Sequence, residues 1–393
     1  MSGLVFSVIA RAPEELMRTR TLIEGFTAKQ HIPVQLQDLT WDTARQDLNQ
    51  VATYNEGPDV SQIGSTWLRG FVDMNAVRAF GPFEMRRLGS PSDFVPAAWE
   101  SASLHDDAVL WAMPWLVDAR ILFYRRDILK QAGIDESSAF ATPEALDETL
   151  TALRSHGVAI PWVIPTQFSW RTLHTVASWV WHHGGDFVSS SGERLTFMDV
   201  PALAGFRGFF KLARHLVEPA LRLSDRESDA LFMEGKAAAT ISGPWIMEMD
   251  EELLVDVGVT SPPGPAFIGG SHLIIWKHTV MPRKAVRLVQ YLTSLEGQLN
   301  HGLHGLLPAR FEALNAVDTS SREFSRYLQT LLKSGRSFYA THLWALIEDQ
   351  LNHALADVWQ DVLALSSLTD EALDAILERH LGALHNRLEM MFI

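Results

Sequence analysis

The chain has 393 residues, 47% of them hydrophobic and 20% charged, with a formal net charge of -14. That balance excludes a nucleic-acid-binding surface, which needs a basic stripe to displace counterions, and disfavours docking on anionic lipid. With no cysteine, disulfides, thiolate metal sites, iron–sulfur clusters and cysteine nucleophiles are excluded, and the length exceeds one ordinary core and predicts two domains.

In chain order, 4–10 (LVFSVIA) reads as a strand, 13–29 as an amphipathic helix, 32–39 as the next strand and 42–53 as a helix. Residues 57–64 (GPDVSQIG) give a turn and a third strand. Strands alternating with helices of this length predict βαβ units and a mainly parallel sheet. The segment 109–129 changes character: it predicts two short extended pieces broken at Pro114, then a helix start at Arg125–Asp127. A second α/β stretch follows, with a helix at 143–156, a strand at 162–165 and helices at 171–182, 201–216 and 225–233. A strand at 237–242 and a helix from Pro244 complete it. Residues 261–276 are rich in Pro and Gly between apolar strands, a helix is expected at 282–295, and 304–311 forms a loop. From Ser320 the chain reads as helical, with amphipathic runs at 322–333, 341–365 and 369–391.

Boundaries near 110–114, 260–266 and 308–316 divide the chain into a discontinuous N-terminal lobe, 1–112 with 265–313, and a C-terminal lobe, 113–264 with 314–393. Two lobes joined by several crossover segments predict a hinge that closes on a ligand. The longest apolar run, 108–124, is broken by Asp118 and Arg120 and is not a membrane span. The start of the chain lacks the basic, apolar and small-residue pattern of a secretory signal. The protein is therefore expected outside the cytoplasm if a signal peptide has been removed, and in the cytoplasm if Met1 is the native start.

Tryptophan usage is the strongest local signal. Four indoles share one setting, each just after a β-rich run and beside a residue suited to start a helix: VQLQDLTW ending at Trp41, VSQIGSTW at Trp67, VIPTQFSW at Trp170 and AATISGPW at Trp245. Thr40, Ser65 and Ser169 are natural N-caps, and Pro244 suits the first helical position. A strand that turns directly into a helix places the junction at the carboxyl edge of a sheet, where ligands bind in open α/β folds. Rings gathered there suit a flat or ring-shaped ligand; the alternative for each is core packing on the sheet.

Enzyme signatures are absent. There is no GxSxG elbow, no Walker A loop and no GxGxxG behind a first strand. A glycosidase needs two carboxylates flanking the sugar, and Asp118 with Asp186 are the candidates. His182–His183 and the pair His301 and His304 lack an accompanying ligand set, so no metal and no cofactor are expected.

Several segments carry a family resemblance. FMEGKAAATISGPW (232–245), GPDVSQIGSTWLRGFVDMNAV (57–77), VDARILFYRRDILKQAGI (117–134), FIGGSHLIIWKHT (267–279), TSLEGQLNHGLHGLLPAR (293–310) and SLTDEALDAILERHL (367–381) together resemble, in order and spacing, the family 1 solute-binding proteins of ABC transporters, the maltodextrin-binding group. Tyr124-Arg125-Arg126 departs from the family's Tyr-Asn-Lys at a helix cap. The resemblance implies a two-lobed α/β fold of the periplasmic-binding-protein type II class with C-terminal helices. It implies no catalysis, a carbohydrate ligand held by stacking and hydrogen bonds, a membrane permease as partner, and a monomer. It also implies that Asp118 faces the ligand, that Trp245 stacks on it, that Gln167 and Trp170 line its cleft, and that Ser65 and Thr66 lie in a polar loop beside Trp67. Trp344 falls near a further aromatic of the family, and Arg11, Trp41 and the Gly269-Gly270-Ser271 turn are placed by strand-end position. Glycerol phosphates are the alternative ligand; a sensing module for a signalling partner or a glycosidase are the alternative functions.

Overall fold

The computed structural model describes residues 3–10, 13–41, 43–104, 109–218, 220–301, 305–316 and 322–391. The chain divides into two compact units: Met1–Asp118 with Ile268–Lys333 and Ser337–Ala345, and Ala119–Phe267 with Ser334–Arg336 and Leu346–Ile393. Residues 113–118, 314–316, 322–333 and 337–345, expected in the second unit from sequence, thus group with the first, and 265–267, expected in the first, with the second. For 337–345 local contacts explain this: Arg45 donates to the Ala345 carbonyl at 3.0 Å and His342 meets Asp73 at 2.9 Å.

The first unit is built on a six-stranded sheet in the order β2-β1-β3-β8-β4-β9. The strands are β1 (Leu4–Ile9), β2 (Val34–Leu39), β3 (Val60–Gly64), β4 (Met113–Ala119), β8 (Ile268–Ile275) and β9 (Leu307–Pro308). The helices Pro13–Gln30 and Ala44–Tyr54 connect the first three strands. β1 pairs in parallel with β2 and with β3, as the alternation of strands and helices predicts. β8, however, runs antiparallel to β3, and β9 antiparallel to β4. The second unit contains a three-stranded sheet of β5 (Ile121–Arg125), β6 (Ala239–Ser242) and β7 (Val257–Thr260), antiparallel throughout. Among the described strands, parallel ladders join β1 to β2 and to β3. Alternation reveals crossovers between consecutive strands and is blind to strands that return from the other unit.

The break in 109–129 falls at Arg120, not at Pro114. Pro114 is the second residue of β4, an early strand position where a missing N–H is tolerated. The strand expected at 162–165 reduces to a single parallel bridge from Val163 to Thr240. The terminal run 369–391 is helical but contains a π-turn at Glu378–Gly382.

Large rings fill the cores. In the first unit Phe6 meets Trp115 edge-on at 6.0 Å and Phe71 meets Trp276 at 5.4 Å; in the second, Phe209 and Phe210 both pack on Trp359. Each such side chain, fully buried, contributes about 1.5–3 kcal/mol. A buried polar line also crosses the first sheet. Ser7 donates to Ser61, the Trp276 indole N–H donates to Ser61, and Gln62 both accepts from the Ile9 N–H and donates to Ser271. Among the described residues no helix is long and apolar enough to cross a membrane.

Candidate functional site

In the first unit, parallel pairing brings the carboxyl ends of β1, β2 and β3 to one edge of the sheet. The antiparallel register Gly64↔Ser271 brings the start of β8 to the same edge. Trp41 lies two residues beyond β2, and Ser65–Trp67 form a single 3-10 turn directly after β3. Neither follows the expected capping pattern. Thr40 lies outside the helix, which starts at Ala44 after Thr43, and Ser65 lies inside its turn with Gly64 as the cap. The result is nevertheless an aromatic pair: Trp41 and Trp67 meet at 5.6 Å and 69°, and both are half-buried. A Cβ on Gly64 would lie 2.9 Å from the Trp67 ring, so the glycine lets this indole rest on the strand backbone.

The other residues singled out in this unit separate into two groups. Thr66, Gly270 and Asp118 are half-buried at this edge, and Ser65 is buried beneath it. Ser271 is fully buried and accepts from Gln62 at 2.9 Å, which makes it part of the sheet's polar line and not a ligand-facing group. Trp344 is likewise fully buried, its ring tilted at 35° to that of Phe338 with centroids 4.8 Å apart, and is a core side chain. Arg11 lies outside the described residues.

In the second unit the register Ile121↔Ser242 sets Arg120 beside the end of β6, and the Val163↔Thr240 bridge runs residues 166–170 toward the same edge. Ser169 accepts the Arg171 N–H at 3.0 Å and caps the helix Trp170–His182, so Trp170 and Arg171 occupy its first turn. Phe168, 45% exposed, meets the Trp170 ring edge-on at 5.9 Å. Gln167 is exposed and donates to the Arg222 carbonyl at 2.5 Å, which commits its amide to holding a loop.

Trp245 lies in a 3-10 turn, Pro244–Glu248, in place of the expected longer helix. Its indole N–H donates to Asp229 Oδ2 at 2.9 Å, and the guanidinium groups of Arg120 and Arg171 each lie 5.2 Å from its ring. A Cβ on Gly243 would come within 2.2 Å of the six-membered ring, so the ring rests on that glycine. Arg171 pairs with Asp229 at 2.9 Å and with Asp225 at 3.0 Å. Burial opposes its charge, but the two carboxylates outweigh burial and its pKa is raised. His174, one turn along the helix and stacked on Phe267 at 4.1 Å, is held neutral by burial and by Arg120 and Arg171.

Arg120, Arg171, Asp225 and Asp229 were not singled out from the sequence. One signal was available: Asp229 shares a helix face with the core residue Phe232, and an acid on an apolar face needs a partner. Asp186, weighed as a glycosidase carboxylate, accepts from the Trp181 indole at 3.2 Å, from the Phe187 N–H at 3.0 Å and from Arg336 at 2.8 Å. It is occupied in structural bonds. Among the described residues no group of three or more His, Asp or Glu could hold a metal ion.

The family profile described as bacterial extracellular solute-binding protein matches residues 14–299. The diacetylchitobiose binding protein DasA of Streptomyces coelicolor is 24% identical over 275 residues, 65% of this chain and 60% of that protein. The match thus spans about three fifths of the length of that relative. In fold, the chain is similar to the sugar-binding protein MalE from Xanthomonas citri, with a TM-score of 0.80, 20% identity and 99% of each chain covered. It is also similar to UgpB from Mycobacterium tuberculosis, solved in complex with glycerophosphocholine, with a TM-score of 0.76, 17% identity and 99% and 100% coverage.

Proposed function

The chain belongs to the bacterial extracellular solute-binding protein family, and on that premise we propose that it captures a carbohydrate, a mono- or short oligosaccharide, for an ABC importer. One observation carries the choice of ligand. Trp41, Trp67 and Trp245, just after strands β2, β3 and β6, and Trp170, at the start of its helix, stay half-buried, whereas Trp115, Trp162, Trp179, Trp276, Trp344 and Trp359 are fully buried. Leaving large indoles partly in water forgoes burial energy, and the apolar C–H face of a sugar recovers it by stacking. Carboxylates and guanidinium groups beside such rings bind hydroxyls through charge-assisted hydrogen bonds.

Local charge favours a neutral ligand over a phosphate ester. Around Trp245 the two cations Arg120 and Arg171 are matched by Asp225 and Asp229, which both pair with Arg171. The site therefore offers no net positive field, and the chain as a whole is acidic. DasA, which binds diacetylchitobiose, and the sugar-binding MalE support the same class, while UgpB represents the alternative. The protein works as a monomer outside the cytoplasm and delivers its ligand to a membrane permease.

Trp245→Ala is expected to weaken sugar binding by about 1 kcal/mol or more, roughly five- to tenfold, through lost stacking and burial. Calorimetric titration of wild type and variant checks it. An unchanged affinity would return Trp245 to a packing role.

A further inference from the structure

We propose that Asp229 is a positioning residue that fixes the plane of the Trp245 indole before ligand arrives. Its effect on affinity rests on the carbohydrate function above; its effect on the ring does not. Asp229 is 9% exposed and carries a dense set of donors. Trp245 Nε1 donates to Oδ2 at 2.9 Å, Ser242 Oγ donates to Oδ1 at 2.6 Å, and Arg171 reaches both oxygens at 2.9 Å. A buried carboxylate is strongly disfavoured unless such donors surround it, so each of them is held in turn.

The indole has a single donor, its N–H. Rotating the ring about its side-chain torsions would take that donor away from Asp229 and drive the six-membered ring off Gly243, where only a hydrogen leaves it room. Arg171, whose guanidinium lies 5.2 Å from the ring, is itself fixed by Asp225 at 3.0 Å and by Ser242 Oγ at 3.0 Å. The ring is thus anchored at its polar edge by a carboxylate that is locked from three elements: the helix Asp225–Met233, the strand β6 and the helix Trp170–His182. A ring already in place loses no rotamer freedom when ligand binds, and that saving appears as affinity. Trp41 and Trp67 lack such an anchor: their indole N–H groups make no hydrogen bond recorded among the described residues, and they rest on each other.

The test uses the full chain labelled with 15N-tryptophan, its Trp245 indole signal assigned by loss in Trp245→Phe. In the ligand-free wild type, the Trp245 indole N–H should exchange with solvent at least roughly tenfold more slowly than those of Trp41 and Trp67, because a buried charged acceptor holds it. Exchange as fast as theirs overturns the proposal without any Asp229 variant, and so decides it even if Asp229→Ala fails to fold. In Asp229→Ala the signal should shift and its exchange accelerate, and sugar affinity should fall by about three- to tenfold. Asp229→Asn, which keeps an acceptor oxygen, should recover part of both. An unmoved indole signal in Asp229→Ala, or an unmoved sugar affinity beside a weakened Trp245→Ala, overturns the proposal. If no sugar binds wild type, the carbohydrate function fails separately, and the exchange measurement still decides whether Asp229 holds the ring.

Discussion

Gly270→Ala is expected to destabilise the first unit by about 2 to 6 kcal/mol, a large share of the roughly 5–15 kcal/mol that holds a domain folded. Two costs combine. Gly270 has φ +127, a region closed to side chains, and forcing alanine there costs about 1–3 kcal/mol. The new Cβ would also stand 2.2 Å from the Leu116 carbonyl oxygen and 2.8 Å from the Val117 Cα. Those are backbone atoms of the neighbouring strand β4, which cannot swing aside as a side chain could, and overpacking adds about 1–3 kcal/mol. Gly133→Ala separates the two costs. Gly133 has φ +68 with nothing within 4 Å of its Cβ position, so it should lose only about 1–2 kcal/mol of backbone preference. Urea unfolding followed by circular dichroism reads both. Equal losses in the two variants would show that close approach of β8 to β4 is not what requires the glycine.

Acid should destabilise the protein through buried His272 by about 2 kcal/mol between pH 7 and pH 5, with His174 adding to the loss in the same direction. Burial lowers the pKa of His272 to about 3, with only partial opposition from the Ser271 backbone. Its Nε2 lies 2.9 Å from the Ser101 hydroxyl. His174 is pushed well below the ordinary value by burial and then by Arg120 and Arg171. In the unfolded chain both return to about 6.5. Because the unfolded state takes up protons first, stability is fully present above about pH 6.5. It then falls by up to about 1.4 kcal/mol per pH unit for each histidine, and for His272 the loss levels off near pH 3. Urea midpoints from pH 7 to pH 5 should therefore drop steeply in wild type. His272→Gln should remove about 2 kcal/mol of that loss, and His174→Gln should flatten the curve in the same direction. Parallel curves for wild type and both variants would contradict the burial assignment.

The parts of the fold that sequence patterns reach are those governed by local chemistry. The first three strands and their two helices follow from apolar periodicity and turn residues, and the strand-end indoles were found because each follows a β-rich run. What escaped depends on partners distant in sequence. The antiparallel arrival of β8 between β3 and β4 is set by a segment some two hundred residues downstream. Pro114 looks like a breaker until its early place in β4 is known. Ser271 and Gly270 are neighbours at a strand start, yet the alternation of a strand turns the serine into the sheet's polar line. Trp344 opens a long helix, but contact with Phe338 takes it into the core. Asp229 is the opposite case: its place on a helix face with Phe232 signals only that it needs a partner, and it becomes the acceptor for Trp245 because β6 and the helix Trp170–His182 bring Ser242 and Arg171 to it.

The most direct measurement is calorimetric titration of the purified chain with neutral mono-, di- and trisaccharides and with glycerol phosphate esters, tryptophan emission being followed in parallel. At least one saccharide should bind with a dissociation constant on the order of micromolar or tighter, about -8 kcal/mol. It should perturb the emission and lose affinity in Trp245→Ala, while the phosphate esters stay silent. Binding of phosphate esters alone, or no response to any saccharide, would contradict the proposed carbohydrate function.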